Sequence, residues 1–179
     1  MTFSNPEPEQ IRRLLHSVHS IAMVGLSPNQ SRPSFRVASG LQSLGYRIIP
    51  VRPRHGGAEP SGAGVAAAHL LPQSAGFASN VTEVRPMVAE VLGEKVFPDL
   101  ESLPELPDIV DVFRAAKHVP AIVESCIKLG IKNLWLQEGI IHEEAAQRAG
   151  GAGITVVMDR CMWRDAVKFG VHPRREQAS

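Results

Sequence analysis

This sequence is poor in cysteine and aromatic residues, and it has no hydrophobic run long enough to span a membrane. Its two cysteines, Cys126 and Cys161, lie far apart without CxxC spacing, which excludes a zinc knuckle and a secreted disulfide framework. The N-terminus MTFSNPEPEQ has no apolar signal segment. We therefore expect a soluble, cytoplasmic protein that is not associated with a membrane.

An excess of charge of one sign is also missing. The chain has 19 Lys and Arg against 18 Asp and Glu. Such a balance creates no overall field that would attract nucleic acid or an anionic membrane. We therefore expect no nucleic-acid partner, and any anion-binding site must be local.

Motifs for catalysis and metal binding are absent as well. No spacing in the chain assembles a Ser-His-Asp or Cys-His arrangement, and neither GxxxxGKS nor GxxxxGKT occurs. Among seven histidines, the close pair His16 and His19 has no third ligand beside it in the sequence. We assign no catalytic and no metal-binding residue.

Short apolar segments alternate with amphipathic segments along most of the chain. The predicted strands are 21–24, 46–51, 109–113, 133–136 and 154–158, with a short edge strand within GEKVFPDL. The predicted helices are 8–20, 33–44, 119–129 and 143–149. This alternation predicts the α/β class, a single Rossmann-like domain over 1–179 with an open parallel sheet of about five strands and helices on both faces.

Two segments break this rhythm. The stretch 55–80 is rich in glycine, alanine, serine and proline and has little hydrophobic periodicity, so we interpret it as a flexible insertion. The C-terminal segment 171–179 is polar and is predicted to be a frayed tail.

The loop after the first strand, GLSPNQSRPS, has the features of an anion site. In an open parallel sheet, ligands bind beyond the carboxyl ends of the strands. Gly25 permits close approach to the backbone, Arg32 supplies a guanidinium, and a helix begins near Pro33 with its positive dipole end. The loop alone is equally compatible with a glycine that ends a strand and an arginine that is merely solvated.

The residues at the end of the second strand indicate which kind of nucleotide could bind. GLSPNQSRPS lacks the later glycines of GxGxxG, and the segment after the second strand reads Pro50-Val51-Arg52-Pro53-Arg54 where an NAD site has an acid. A basic residue there suits a ribose that carries a phosphate. The residues thus leave two ligands open, NADP with its 2′-phosphate and coenzyme A with its 3′-phosphate.

Four segments in order carry a family resemblance: VGLSPNQSRPSFRVASGLQSLGYRIIPVRP, GEKVFPDLESLPELPDIVDVFR, LWLQEGIIHEEAAQRAGGAGITVV and MDRC. They resemble the CoA-binding domain proteins, stand-alone relatives of the N-terminal CoA-binding domain of the succinyl-CoA synthetase alpha subunit. The resemblance implies that the CoA pyrophosphate is surrounded by Gly25, Ser27, Arg32, Pro33 and Ser34. It also implies that the adenosine and pantetheine are bordered by Val51, Arg52, Pro53, Phe113, Arg114, Gln137 and Gly139.

The chain departs from this family at three places. Arg52 and His142 stand where the relatives commonly have asparagine, and neither change removes an anion site. The insertion is the larger departure, because the relatives pass from the second strand to GEKV through a short loop. The adenine side of the expected pocket is therefore the least defined.

The resemblance implies a protein that binds CoA or acyl-CoA without being catalytic by itself. It would act as a sensor, a carrier or a subunit that joins a protein partner or a second copy of itself. The alternative is an NADP-dependent oxidoreductase or another nucleotide-binding enzyme, which would need its own substrate pocket and proton donor. Cys161 follows the last strand, where it would either form a mixed disulfide with the CoA thiol or serve as a structural thiol.

Overall fold

A computed structural model describes residues 3–53 and 89–172 of the chain. The strands are β1 Ser20–Val24, β2 Arg47–Val51, β3 Glu90–Val91, β4 Glu94–Lys95, β5 Ile109–Val112, β6 Asn133–Leu136 and β7 Thr155–Val157. Five of them form a parallel sheet in the order β2-β1-β5-β6-β7. The α/β, Rossmann-like class predicted from the alternation is confirmed.

Helices cover both faces of this sheet. They are α1 Pro8–Ser17, α2 Pro33–Ser43, α3 Val119–Leu129, α4 Glu143–Gly151 and α5 Met162–Lys168. One apolar cluster joins alternate strand residues such as Val110 and Leu134 to α3 and α4. The other joins the intervening residues, such as Ile109 and Trp135, to α1, α2 and α5. Because both faces are buried, the strands read as continuous apolar runs.

The strand order defines where a ligand would bind. The chain runs outward from β1 to β2 through α2 and then returns to place β5 on the other side of β1. The crossovers to β2 and to β6 therefore move in opposite directions, and their helices lie on opposite faces, as right-handed connections require. The order reverses between β1 and β5, and we call the carboxyl ends of these two strands the switch point.

The structure differs from the sequence prediction at the edge strand. The segment GEKVFPDL does not form one strand, since β4 pairs antiparallel with β3 in a separate ribbon. The turn between them has two residues with positive φ, Leu92 at 57° and Gly93 at 77°. Only Phe97 continues the main sheet, through a parallel bridge to Val51.

The C-terminal part contains a helix, α5, that the periodicity did not predict. Val171 follows it, is buried in the cluster with α1 and α2, and donates its amide to the Ala166 carbonyl at 2.9 Å. Val171 therefore belongs to the core, and 173–179, the rest of the predicted frayed tail, lie outside the described residues. The predicted insertion 55–80 lies outside them as well.

Candidate functional site

Backbone hydrogen bonds tie the ends of three strands together at the switch point. The Gly25 amide donates to the Val51 carbonyl at 2.8 Å, and the Phe113 amide donates to the Val24 carbonyl at 2.8 Å. Gly25 then turns the chain with φ at +94°, a conformation that favours glycine. The loop that follows β1 is thus anchored at its first residue.

Side chains within this loop hold it in one shape. The Ser27 amide donates to Ser34 Oγ at 3.1 Å, and the Asn29 amide donates to Ser27 Oγ at 3.2 Å. Asn29 Oδ1 in turn accepts from the amide and the hydroxyl of Ser31, at 2.9 and 2.8 Å. The two serines predicted to meet a pyrophosphate, Ser27 and Ser34, therefore also build the loop.

The start of α2 lies at the end of this loop. Arg32 is its N-cap residue and makes no side-chain capping hydrogen bond, and Pro33 occupies the first helical position. A helix N-terminus presents unpaired amides and a positive dipole end, which attract an anion. The Arg32 side chain is exposed, so its guanidinium is accessible to a ligand in the loop.

Arg114 lies directly against Gly25. A Cβ at Gly25 would stand 3.1 Å from Arg114 Cδ and 3.2 Å from Arg114 Cγ, so any side chain at residue 25 would crowd the arginine stem. The guanidinium Nη2 is 3.2 Å from His118 Nε2. The sheet topology thus brings a second guanidinium to the loop after β1 from a position far away in the sequence.

The end of β2 carries the residues predicted to meet the adenosine. Val51 is 1% exposed and packs in the core, so its carbonyl, which binds Gly25, is its contribution to the loop. Arg52 and Pro53 are half-buried, and the Arg52 amide donates to the Phe97 carbonyl at 2.8 Å. Arg54 lies outside the described residues.

The end of β6 is organised by two carboxylates. Gln137 is 4% exposed, and its Nε2 donates to both Asp111 carboxylate oxygens, at 2.9 and 2.8 Å. The Gly139 amide donates to Asp159 Oδ1 at 2.7 Å. Burial raises the pKa of the Asp111 carboxyl to about 7. The amide nitrogen of Gln137 is thus committed to the Asp111 carboxyl group.

Several of the predicted residues meet at the switch point. The structure brings Gly25, the loop serines and Arg114 together at the switch point, with Arg32 at its rim. Phe113 is half-buried and packs against the cluster that includes α1 and α2.

The sequence reasoning did not assign His118 and did not foresee the pairing of Asp111 with Gln137. An acid within the apolar run IVDV was the available signal for the pair, whereas one histidine four residues after Arg114 gave no comparable signal.

Cys161 was the other residue with a possible role at the site. Cys161 is half-buried and is the N-cap residue of α5, where its side chain makes no capping hydrogen bond. These observations do not test a mixed disulfide between Cys161 and the CoA thiol, which stays a prediction. Within residues 3–53 and 89–172, no group of three His, Cys, Asp or Glu side chains could hold a metal ion.

A surface groove of about 600 Å³ lies elsewhere, beside the amino end of β7. It is lined by the N-terminal segment 3–7 together with residues such as Arg13 and Ile154. The switch point is at the opposite, carboxyl, end of the strands. This groove is therefore separate from the candidate anion site at the switch point.

Comparisons with known proteins indicate the family to which this chain is similar. The sequence model of a family described as "CoA binding domain" matches residues 19–69 and 57–166. An uncharacterized protein of Bacillus subtilis, YneT, is 30% identical over 158 residues, which are 88% of this chain and 93% of that protein.

Solved structures resemble the chain along most of its length. A hypothetical protein from Pyrococcus horikoshii OT3 is 28% identical with a TM-score of 0.69, and covers 94% of this chain and 99% of its own. A Thermus thermophilus protein is 28% identical with a TM-score of 0.69, and covers 92% of this chain and 99% of its own. In the part of this chain that the structure describes, no helix is long and apolar enough to cross a membrane.

Proposed function

Because the chain belongs to the CoA binding domain family, we propose that it binds coenzyme A at the switch point. The diphosphate would lie between the loop after β1, the N-terminus of α2 and the Arg114 guanidinium. The 3′-phosphate would meet Arg52 at the end of β2. The adenosine would lie beside Pro53, and the pantetheine would pass Phe113 toward Gly139.

The observation that carries this proposal is the position of Arg114 across Gly25. A guanidinium presents several donors in a rigid fork that matches two phosphate oxygens. Gly25 begins the loop that ends at the N-terminus of α2, so the arginine and the helix would supply positive potential from the two ends of one loop. A diphosphate is the anion that such a pair of sources suits best.

The ribose side of the proposed site supports a ligand with a ribose phosphate. The half-buried residue after β2 is Arg52, where an NAD site places an acid for the ribose hydroxyls. NADP and CoA both carry a ribose phosphate that could pair with the Arg52 guanidinium. Family membership favours CoA, and NADPH becomes the comparison ligand of the test.

We further propose that the protein binds CoA or acyl-CoA without turning it over, as a sensor, a carrier or the CoA-binding subunit of a larger assembly. Fold alone does not transfer the chemistry of relatives to a chain. The hydroxyl oxygens of Ser27 and Ser34 accept backbone hydrogen bonds that shape the loop, which suits a binding role.

Equilibrium titration calorimetry of the purified protein tests the proposal. CoA and acetyl-CoA should bind with similar affinity, because the acyl group lies far from the diphosphate and the ribose phosphate. Dephospho-CoA should bind about ten- to 150-fold more weakly through loss of the charge-assisted contacts of Arg52. Tight binding of NADPH with no binding of CoA would refute the proposal and would favour the oxidoreductase.

A further inference from the structure

We propose that His118 is a positioning residue of the anion site, and that its Nε2 holds the Arg114 guanidinium over Gly25 ready for a diphosphate. The proposal rests on the function proposed above. It adds a residue that acts through the arginine.

The contact defines the role of each partner. Arg114 Nη2 and His118 Nε2 are 3.2 Å apart. An arginine has donors and no acceptor, so the imidazole nitrogen must be the acceptor in this pair. His118 Nε2 therefore carries no proton, and the neutral ring carries its proton on Nδ1. The arginine thus determines the tautomer of the histidine.

The local chain explains how the two side chains meet. Arg114 follows β5 directly, and a short 3₁₀ turn, Ala116–His118, connects it to α3. The His118 amide donates to the Ala115 carbonyl at 2.9 Å, which closes this turn. The turn brings the imidazole back toward the guanidinium, four residues earlier in the chain. Arg114 is thus held at its stem by Gly25 and at its tip by His118.

This arrangement affects affinity because an arginine side chain has several rotatable bonds. A guanidinium that moves freely must be ordered when the ligand binds, and that ordering weakens binding. A guanidinium already held in place avoids this loss. We expect His118 to strengthen diphosphate binding about three- to tenfold, the range that ordering one long side chain implies.

His118 is suited to substitution. It is the N-cap residue of α3, but its side chain makes no capping hydrogen bond, so a replacement removes no helix cap. It is half-buried and stands outside both core clusters. Variants at this position should fold, and thermal midpoints within about 2 °C of the parent would verify this.

The first test compares His118→Leu with His118→Gln. Leucine removes the acceptor, and CoA and dephospho-CoA should both bind about three- to tenfold more weakly. Glutamine places an amide oxygen near the position of Nε2, and its affinities should return to within about twofold of the parent. Unchanged affinity in His118→Leu, or equal losses in the two variants, would overturn the proposal.

A double-mutant cycle separates an indirect from a direct role. Arg114→Ala should weaken CoA binding, and adding His118→Leu to it should have no further effect, because the arginine that His118 positions is gone. A full additional loss in the double variant would show that His118 acts on the ligand through another contact. That result would overturn the positioning role while leaving CoA binding intact.

Nitrogen chemical shifts of the ligand-free protein at pH 8 give a readout that does not depend on CoA. The His118 ring should be the Nδ1–H tautomer in the parent, and should shift toward the Nε2–H tautomer in Arg114→Ala. His118→Gln identifies the signal among the seven histidines. A parent protein that shows this tautomer but binds no CoA would refute the proposed function, whereas an Nε2–H parent would refute the Arg114–His118 contact itself.

Discussion

Asp111 is a buried carboxyl in the middle of the sheet. It lies in β5 between Met23 of β1 and Trp135 of β6, where apolar side chains form the core. Its described side-chain partner is Gln137, which offers a neutral amide and no positive charge. Burial without a cation therefore disfavours the ionised form and raises the pKa of Asp111 to about 7.

The sign of the resulting pH dependence follows from proton counting. An aspartate in an unfolded chain titrates near pH 3.9, so between about pH 4 and pH 7 the folded protein holds more protons at this site. The contribution of the Asp111 pKa shift to the free energy of unfolding is therefore fully present below about pH 4. It is lost as the pH rises from there to about 7.

Asp111→Asn should remove this dependence because an amide does not ionise in this range. We expect the variant to gain about 1–3 kcal/mol relative to the parent between pH 5 and pH 8. Urea unfolding at four pH values measures the difference. A free-energy difference that stays constant across this range would mean that Asp111 is ionised throughout.

Arg32→Ala tests the rim of the anion site. Arg32 is exposed and caps α2 only through its backbone, so the thermal midpoint should stay within about 2 °C. Loss of one charge-assisted contact of about 1.5–3 kcal/mol should weaken CoA and dephospho-CoA alike, by about ten- to 150-fold.

Arg36→Ala is the matched control for this variant. Arg36 is also exposed and stands one turn further along α2. It carries the same charge away from the loop, so its removal should change affinity by less than about threefold. Equal losses in the two variants would indicate general attraction of an anion in place of a contact from Arg32.

At the scale of the elements, long periodic segments were predictable and short ones were not. The predicted bounds of 119–129 and 133–136 coincide with α3 and β6. The helix α5 has seven residues, Met162–Lys168, which is less than two full apolar repeats, and its N-cap is Cys161 and not a typical capping residue. The ribbon of β3 and β4 has two residues a strand, too few for an alternation to be read.

The missed helix α5 also explains a glycine within α2. A Cβ at Gly40 would stand 2.2 to 2.5 Å from ring atoms of Trp163, so the indole occupies the space that a side chain would fill. Trp163 is 37% exposed, and it joins α5 to α2 across this gap.

Gly40→Ala should therefore destabilise the protein, although alanine favours a helix by about 1 kcal/mol. The indole atoms at 2.2 to 2.5 Å must be displaced, and overpacking of this kind costs up to about 3 kcal/mol, which we expect to exceed that gain. In a Trp163→Ala background the clash is absent, and the same change should become stabilising. Chemical denaturation of the parent, Gly40→Ala, Trp163→Ala and the double variant measures the effect of Gly40→Ala on the free energy of unfolding in each background. A destabilising effect of similar size in both backgrounds would remove Trp163 from the explanation.

At the scale of the whole molecule, the alternation of elements predicted the layers but not the strand order. Placing Arg114 across Gly25 requires β5 to lie beside β1, and no local pattern within either strand specifies its neighbour. The family resemblance named both residues but assigned them to different parts of the ligand, Gly25 to the pyrophosphate and Arg114 to the adenosine and pantetheine, and their direct contact came from the structure. The Asp111–Gln137 and Arg114–His118 pairs depend on side-chain packing between separate elements, and such contacts leave no trace in hydrophobic periodicity.

The segment 55–80 lies between two parts of the chain that are each fixed by their own contacts. Before it, Pro50 and Arg52 exchange backbone hydrogen bonds with Phe97, at 2.9 and 2.8 Å. After it, the Leu92 carbonyl accepts from Gln42 Nε2 at 3.2 Å. These hydrogen bonds lie within the described residues on either side of the segment, and we expect them to hold the flanking residues in place when the segment is replaced.

Replacing residues 55–80 by a short Gly-Ser linker should accordingly leave the thermal midpoint within a few degrees of the parent. The free energy of closing a flexible loop changes by only about 0.6 kcal/mol for each doubling of its length. Phe97→Ala is the comparison variant, since it keeps the segment but removes an apolar side chain packed against the core, and it should lower the midpoint more. Scanning calorimetry of the three proteins distinguishes these outcomes. Loss of soluble protein, or a fall in the midpoint larger than that of Phe97→Ala, would show that the segment contributes to the core and is not an insertion.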